Sequence, residues 1–298
     1  MRNSNRGQPV PPRSTIISCA RRSLTLGRSP ASLSAACAAR RSRRGLESEQ
    51  ITAVVLTKDE AANIGACLRS LPAGMPALVV DAESADATRV LAQDCGARVV
   101  VRPWDGFASA RRAALALTST PWVLFIDADE RLDDALRASV LAAPAHESVG
   151  YELLRTTEFC GRPMRCAGWN DEPVLRLFRR EAVRLEARPA AGGSAQLHER
   201  WVAEGRVERL RGRLEHRSYP TIADYRRKFA RYTAIEAAGI SPSLGRALAA
   251  AARACVRWAW LYLARGGWRD GWRGAYVCTM SALYPVVVQF RALRGVSR

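Results

Sequence analysis

The chain has 298 residues, 48% of them hydrophobic, enough to fill one large or two small domains, which excludes a chain disordered throughout. Its formal charge of +18 calls for an anionic partner such as nucleic acid, acidic lipid or a phosphorylated substrate, although only Lys58 and Lys228 among 46 basic residues are lysine and so arginine-rich a usage weakens charge as a guide. Eight cysteines without a Cys-x-x-Cys pair or finger-like spacing argue against a disulfide framework and structural zinc, and fit a reducing compartment.

Residues 1–49 carry ten arginines with repeated Ser and Pro, and are expected to be a disordered basic tail. The apolar run from Ile16 to Ala20 is shorter than the roughly 7–15 residues of a signal-peptide core. A transit peptide and an upstream start codon both fit this composition.

From Ile51 the pattern alternates strand and helix. Strands are expected at Ile51 to Leu56, Ala77 to Val80, Ala97 to Val101 and Trp122 to Ile126. Helices follow at Thr57 to Leu71, Asp86 to Cys95 and Ala108 to Thr118. Such alternation with short connections predicts an α/β fold, a mostly parallel sheet with helices on both faces and right-handed crossovers. Extended segments are expected at Tyr151–Thr156, Val174–Phe178 and Val207–Leu214. Beyond them, Ile222, Tyr225, Phe229, Tyr232 and Ile235 mark one face of a helix. A second helix, from Leu244 to Arg265, carries Arg246, Arg253 and Arg257 on one stripe and Leu248, Cys255 and Tyr262 on the other, a pattern suited to anionic lipid. Ala275 to Phe290 is uncharged but short of the about 20 residues of a span and contains Pro285. It is read as interfacial or re-entrant, with a packed core helix as the alternative.

The polar residues of the first half gather where strands end. Thr57 and Glu60, then Asp81, Ser84 and Asp86, then Arg102, then Asp127 and Asp129 follow successive strands, at the edge where open α/β sheets bind ligands. Asp127 and Asp129 share a face of an extended chain, so together they can hold a divalent cation that in turn holds phosphate oxygens. The competing reading is an acidic turn capping the helix near Asp133, and Thr57 and Asp86 can likewise be helix caps. At such an edge Asp81 can accept from a base N–H and Asp127 from ribose hydroxyls.

Val54 to Ile64, Val79-Val80-Asp81 with Ser84 and Asp86, and Phe125 to Arg131 resemble the inverting glycosyltransferase family 2, which has the GT-A (Rossmann-like) fold. Gly168-Trp169, Leu175 to Arg180, Leu197-His198-Glu199-Arg200 and His216 to Tyr219 are similar to its lipopolysaccharide-core β-glucosyltransferase subgroup. The resemblance spans roughly residues 51 to 290. It implies that Thr57, Glu60 and Asp81 contact the uracil and ribose of a UDP-sugar, Asp127 the ribose or a metal, Asp129 a Mg2+ or Mn2+ ion, and Arg111 the diphosphate, with Arg102 on the same edge. The family's Asp-Ser-Gly-Ser-Thr-Asp-Gly-Thr turn stands here as Asp81 to Thr88, with Glu83 and Ala87 in place of glycines. Glu199 is the candidate general base, beside His198, with a salt bridge to Arg200 as the plainer reading and Asp171 and Glu172 as competing bases. Trp169, Arg176 and His198 are placed on the acceptor side.

The resulting expectation is a catalytic domain at 50–220, with a nucleotide half at 50–131 and an acceptor half at 132–220, followed by a helical membrane-surface region at 221–298. The function implied is transfer of a hexose, glucose foremost, to a lipid-linked saccharide at the cytoplasmic face of a bacterial inner membrane. Sugar transfer to a polyprenyl phosphate and a non-catalytic sugar-binding scaffold are the alternatives. Nucleic acid is not expected as a partner, because the arginines are dispersed and no RNP, finger or zipper pattern is present.

Overall fold

Successive residues of β1 (Ile51–Thr57) point to opposite faces of a sheet and are buried on both, which places this strand inside the molecule. The computed structural model describes residues 45–187 and 199–295. β2 (Ala77–Asp81) and β4 (Trp122–Asp127) flank β1 in parallel, and β3 (Arg98–Val101) continues the parallel half beyond β2. The crossovers contain α1 (Ile64–Arg69), α2 (Thr88–Asp94) and α3 (Phe107–Ala116). α1 starts seven residues later than the expected Thr57, because Asp59 takes a left-handed φ of 53° and turns the chain over the end of β1.

Past β4 the sheet becomes mixed. β8 (Glu172–Arg179) runs antiparallel between β4 and β6 (Gly150–Phe159), and a tight turn joins β6 to the short β7 (Arg162–Pro163). β11 (Val207–Tyr219) lies parallel to β6 and closes antiparallel onto β5 (Glu130–Leu132). The order is β3-β2-β1-β4-β8-β6-β11-β5, so a parallel sheet describes the nucleotide half and not the whole. β11 reaches β5 by passing close to α4 (Asp134–Ala142): a Cβ on Gly212, whose φ is +94°, would stand 2.1 Å from the Leu136 nitrogen. Asp133 caps α4 by accepting from Leu136 N at 2.7 Å, which leaves Asp127 and Asp129 free of capping duty.

Two apolar clusters cover the sheet. On one face Ile51, Ala53 and Val55 pack with residues of α1, α2 and α4. On the other, Val54, Val80 and Phe125 pack with α3 and with a separate ribbon of β9 (Val183–Ala187) and β10 (Glu199–Ala203). Trp201 of the ribbon meets Phe125 and Phe178 at 5.3 and 5.0 Å between ring centroids. The second face is therefore covered by one helix and a β-ribbon, where helices alone were expected.

The last third is helical: α5 (Ile222–Ala238), α6 (Leu244–Ala259), a π-helical turn at Trp260–Ala264 and α7 (Gly271–Leu293). Thr221 and Ser243 cap α5 and α6, each accepting a backbone N–H three residues on. Phe159 of β6, Tyr225 of α5 and Val277 of α7 share an aromatic-rich cluster that fastens these helices to β6 and β11. The stretch read as interfacial or re-entrant is one continuous helix through Pro285, with Val277, Cys278, Ala282, Val288 and Ala292 buried. Among the described residues no helix is long and apolar enough to cross a membrane. The expected tail also ends earlier than residue 49, because Leu46 is buried and bonds the Ala143 carbonyl at 3.1 Å.

Candidate active site

β1 and β4, adjacent and parallel, end together, and their last residues open into a cleft of about 1020 Å³. Thr57, Glu60, Arg102, Arg111, Asp127 and Asp129 all line it, six of the positions expected from sequence. Thr57 is buried and its hydroxyl has no hydrogen-bond partner among the described residues, so it does not act as a helix cap. A hydroxyl kept unpaired at the wall of a cleft suits a ligand contact. Burial pushes the Glu60 carboxyl up from its ordinary value, against a hydrogen bond of 2.7 Å donated by Asn63 Nδ2. Arg102 is held by Asp105 and Ser109 at 2.5 and 3.0 Å, while the Arg111 guanidinium lies 5.9 Å from the centre of the Phe107 ring.

Two residues that sequence reasoning did not assign to the site are brought in, one by the pairing of β5 with β11 and one by α5. Glu130 stands opposite His216, which sets His216 Nε2 3.4 Å from Asp129 Oδ2. From α5, Lys228 Nζ reaches within 3.6 Å of the same oxygen and donates to Ser218 Oγ at 2.7 Å. Burial would raise the Asp129 carboxyl, but the hydrogen bond and charge of His216, with Lys228, outweigh it and hold the group well below the usual carboxylate range. The available signals were the resemblance carried by His216 to Tyr219 and the rarity of lysine: Lys58 and Lys228, the chain's two lysines, both line this cleft.

Asp127 is a third exposed. Burial is again opposed, here by Arg176 and Arg111, and the carboxyl is held low. Arg176 was expected on the acceptor side. It lies instead beneath the cleft floor, its Nη2 2.7 Å from both Asp127 Oδ2 and Glu130 Oε1. Glu130 is fully buried, its carboxyl pushed up by burial, and its other oxygen accepts from Asp127 N at 2.9 Å. Arg176 thus positions an acid of the site and does not line the cleft. Its burial follows from β8 being an interior strand, which no local pattern announces.

Two further expectations are corrected. Asp81 is fully buried and accepts from Ser84 N and Ser84 Oγ at 2.9 and 2.5 Å, so it shapes the turn behind the cleft and does not line it. In that turn Glu83 takes a φ of 58°, the conformation a glycine at this position would hold without strain. Trp169 packs among Phe159, Tyr219 and Tyr225 and does not line the cleft. His198 and the side chain of Glu199 lie outside the described residues, where only the backbone of Glu199 is placed, opposite Ala187. The competing bases are engaged elsewhere, Asp171 by Arg213 at 3.2 Å and Glu172 by Arg155 at 2.5 Å.

An ionised carboxylate beside one imidazole suits a divalent ion that completes its shell with water and phosphate oxygens. No group of three or more His, Cys, Asp and Glu placed to hold a metal is found among the described residues.

Residues 52–154 match the model of glycosyl transferase family 2. The lipopolysaccharide core biosynthesis glycosyltransferase LpsC of Rhizobium meliloti (strain 1021) is 35% identical over 174 residues, covering 56% of this chain and 62% of its own length. An uncharacterized glycosyltransferase of Rickettsia felis is 39% identical over 93 residues, covering 31% of this chain and 33% of that one. The chain spans less than two thirds of the length of these curated relatives. Among solved structures, glucosyl-3-phosphoglycerate synthase from Mycobacterium tuberculosis, in complex with Mn2+, UDP and glucosyl-3-phosphoglycerate, is similar over 46% of this chain and 50% of that chain, with 25% identity and a TM-score of 0.30. The mannosyltransferase PcManGT from Pyrobaculum calidifontis, in complex with GDP-Man and Mn2+, is similar over 82% and 87%, with 16% identity and a TM-score of 0.46.

Proposed function

We propose that this chain is a member of glycosyl transferase family 2, whose model matches residues 52–154, and that it transfers a hexose, glucose foremost, from a UDP-sugar to a lipid-linked saccharide such as a lipopolysaccharide core. The transfer would take place at the cytoplasmic face of a bacterial inner membrane. The likeness to LpsC supports the acceptor class. The observation that carries the reading is the meeting of Asp127, Asp129, His216 and Lys228 in one cleft. Asp129 and His216 would hold a Mg2+ or Mn2+ ion, which supplies positive charge against the departing diphosphate. Lys228 and Arg111, fixed beforehand at the same cleft, add charge without reorganising during the reaction. Thr57 and Glu60 offer polar contacts where a uridine would lie.

Inversion needs a base that takes the acceptor hydroxyl's proton on the face of the sugar opposite the diphosphate. Glu199 is assigned this role. Changing Glu199→Gln is expected to lower transfer by about 10² to 10⁴-fold while UDP affinity is kept; transfer at the wild-type rate would remove the assignment. Thr57→Val is a subtler probe. Because no group among the described residues bonds its hydroxyl, stability should stay within about 0.5 kcal/mol, while UDP affinity measured by titration calorimetry falls roughly fivefold to tenfold. Unchanged affinity would place the uridine elsewhere.

The reading as a whole is tested by nucleotide-induced thermal shifts, since a ligand stabilises the state that binds it. UDP with Mn2+ should raise Tm more than UDP alone, and more than ADP or GDP with Mn2+. Equal shifts from all three nucleotides, or none from UDP, would overturn the choice of donor.

A further inference from the structure

A surface helix normally turns its large apolar side chains toward the protein. α6 does the reverse. Its buried positions are the small Ala247 and Ala250, whereas Leu244, Leu248 and Val256 are 62%, 59% and 71% exposed, and Leu263 of the following turn 63%. At about 100° per residue these four side chains fall on one outward stripe together with Cys255. Arg246, Arg253 and Arg257 run along one border of it. Past the π-helical turn, Trp268 and Trp272 are half exposed, and the guanidinium carbons of Arg265, Arg269 and Arg273 lie 5.3, 5.3 and 4.7 Å from the ring centres of Trp260, Trp268 and Trp272. From Gly239 to the last residue the sequence holds nine arginines and one acid, Asp270. Asp270 is turned inward, where it accepts from the backbone N–H of Arg165 and of Cys166, both at 3.0 Å.

We propose that this stripe is a docking face for an anionic lipid bilayer, with α6 lying flat in the headgroup zone and its leucines and valine entering the acyl boundary. Charge decides the occupant. A second copy meeting the same face about a two-fold axis would set rows of arginine against rows of arginine, whereas acidic headgroups neutralise them. Paired arginine and tryptophan side chains have their best environment at the same depth, with apolar rings below and wet charge above. A face of this kind needs no membrane-crossing segment. The inference rests on exposure and charge alone and is independent of the sugar chemistry.

The docking face is tied to the cleft. α6 packs on α7, and α7 is fastened to α5 by Tyr284 Oη, which donates to Glu236 at 2.9 Å, and by Arg291, which donates to the Ala230 carbonyl at 2.9 Å. α5 in turn supplies Lys228, Arg231 and Tyr232 to the cleft wall. A lipid-anchored acceptor would therefore be met by a cleft held on the same group of helices that touches the surface.

The test is sedimentation of the full chain with phosphatidylcholine vesicles, with and without added phosphatidylglycerol. The wild type is expected to bind the anionic vesicles. Leu248→Glu with Val256→Glu should lower partitioning roughly 30-fold or more, and Arg253→Glu with Arg257→Glu should remove about fivefold for each lost positive charge at low salt. All four positions are exposed, so an unchanged Tm in each variant shows that the fold is kept. Undiminished binding by the Leu248→Glu and Val256→Glu variant overturns the proposal. So does a wild type that ignores vesicles but forms a dimer that this variant dissolves, which would assign the stripe to a second copy.

Discussion

Asp129→Ala is expected to lower UDP-sugar turnover by about 10³-fold or more, with the remaining activity insensitive to Mn2+. Asp129 is partly buried, held as an anion by His216 and Lys228, and lines the cleft from the turn that follows β4. Its removal takes away a carboxylate that would touch the ion and leaves two cationic or polar groups facing each other. Asp129→Asn, nearly the same in shape, should behave like alanine in turnover while costing less stability, because the loss lies in charge and not in packing. Both variants should bind UDP without metal as the wild type does, and lose the gain that Mn2+ gives. Kinetics with and without a chelator, beside UDP titrations, separate these effects. Wild-type turnover in either variant would overturn the metal role.

Arg176→Met should be the most destabilising single change near the site. It leaves Glu130, fully buried, with the more distant Arg155 Nη1 at 3.5 Å as its ion-pair partner among the described residues. Breaking one side of a buried pair costs about 3–5 kcal/mol, which for a domain of this size lowers Tm by about 10 °C. The loss has a sign in pH. Burial already pushes Glu130 upward, and without Arg176 to oppose it the folded-state pKa rises further above the unfolded value. A raised carboxyl contributes stability that is present below the unfolded pKa and is lost as pH rises through the folded one. The Tm deficit should therefore be small near pH 4 to 5 and grow toward pH 8. Adding Glu130→Gln should restore most of it. A deficit independent of pH, or no rescue by glutamine, would show that Arg176 matters for packing and not for charge.

The nucleotide half was legible because strands buried on both faces read as unbroken apolar runs, and β1, β2 and β4 stand within a residue of where that pattern put them. Asp127 and Asp129 could be found for the same reason, as the first acids after such a run. His216 and Lys228 could not: they reach the site through a strand pairing and a helix packing between stretches far apart in the chain. Asp81 shows the converse difficulty. A polar residue at a strand end reads alike whether it faces a ligand or locks the turn that presents one, and only burial separates the two. α6 is a third case, since its period gives two faces without telling which one the protein covers.

The closure of β11 onto β5 also bears on how little of the molecule could work by itself. The family-matched segment stops at Leu154, inside β6, before β8, β11 and α5 have been made. A fragment cut there would retain Asp127, Asp129, Glu130 and Arg111 but lack Arg176, His216 and Lys228, and would bare one flank of β4 to any passing strand. The catalytic unit is in this sense stitched shut from its far end, and its competence arrives only when the chain after residue 219 has folded back.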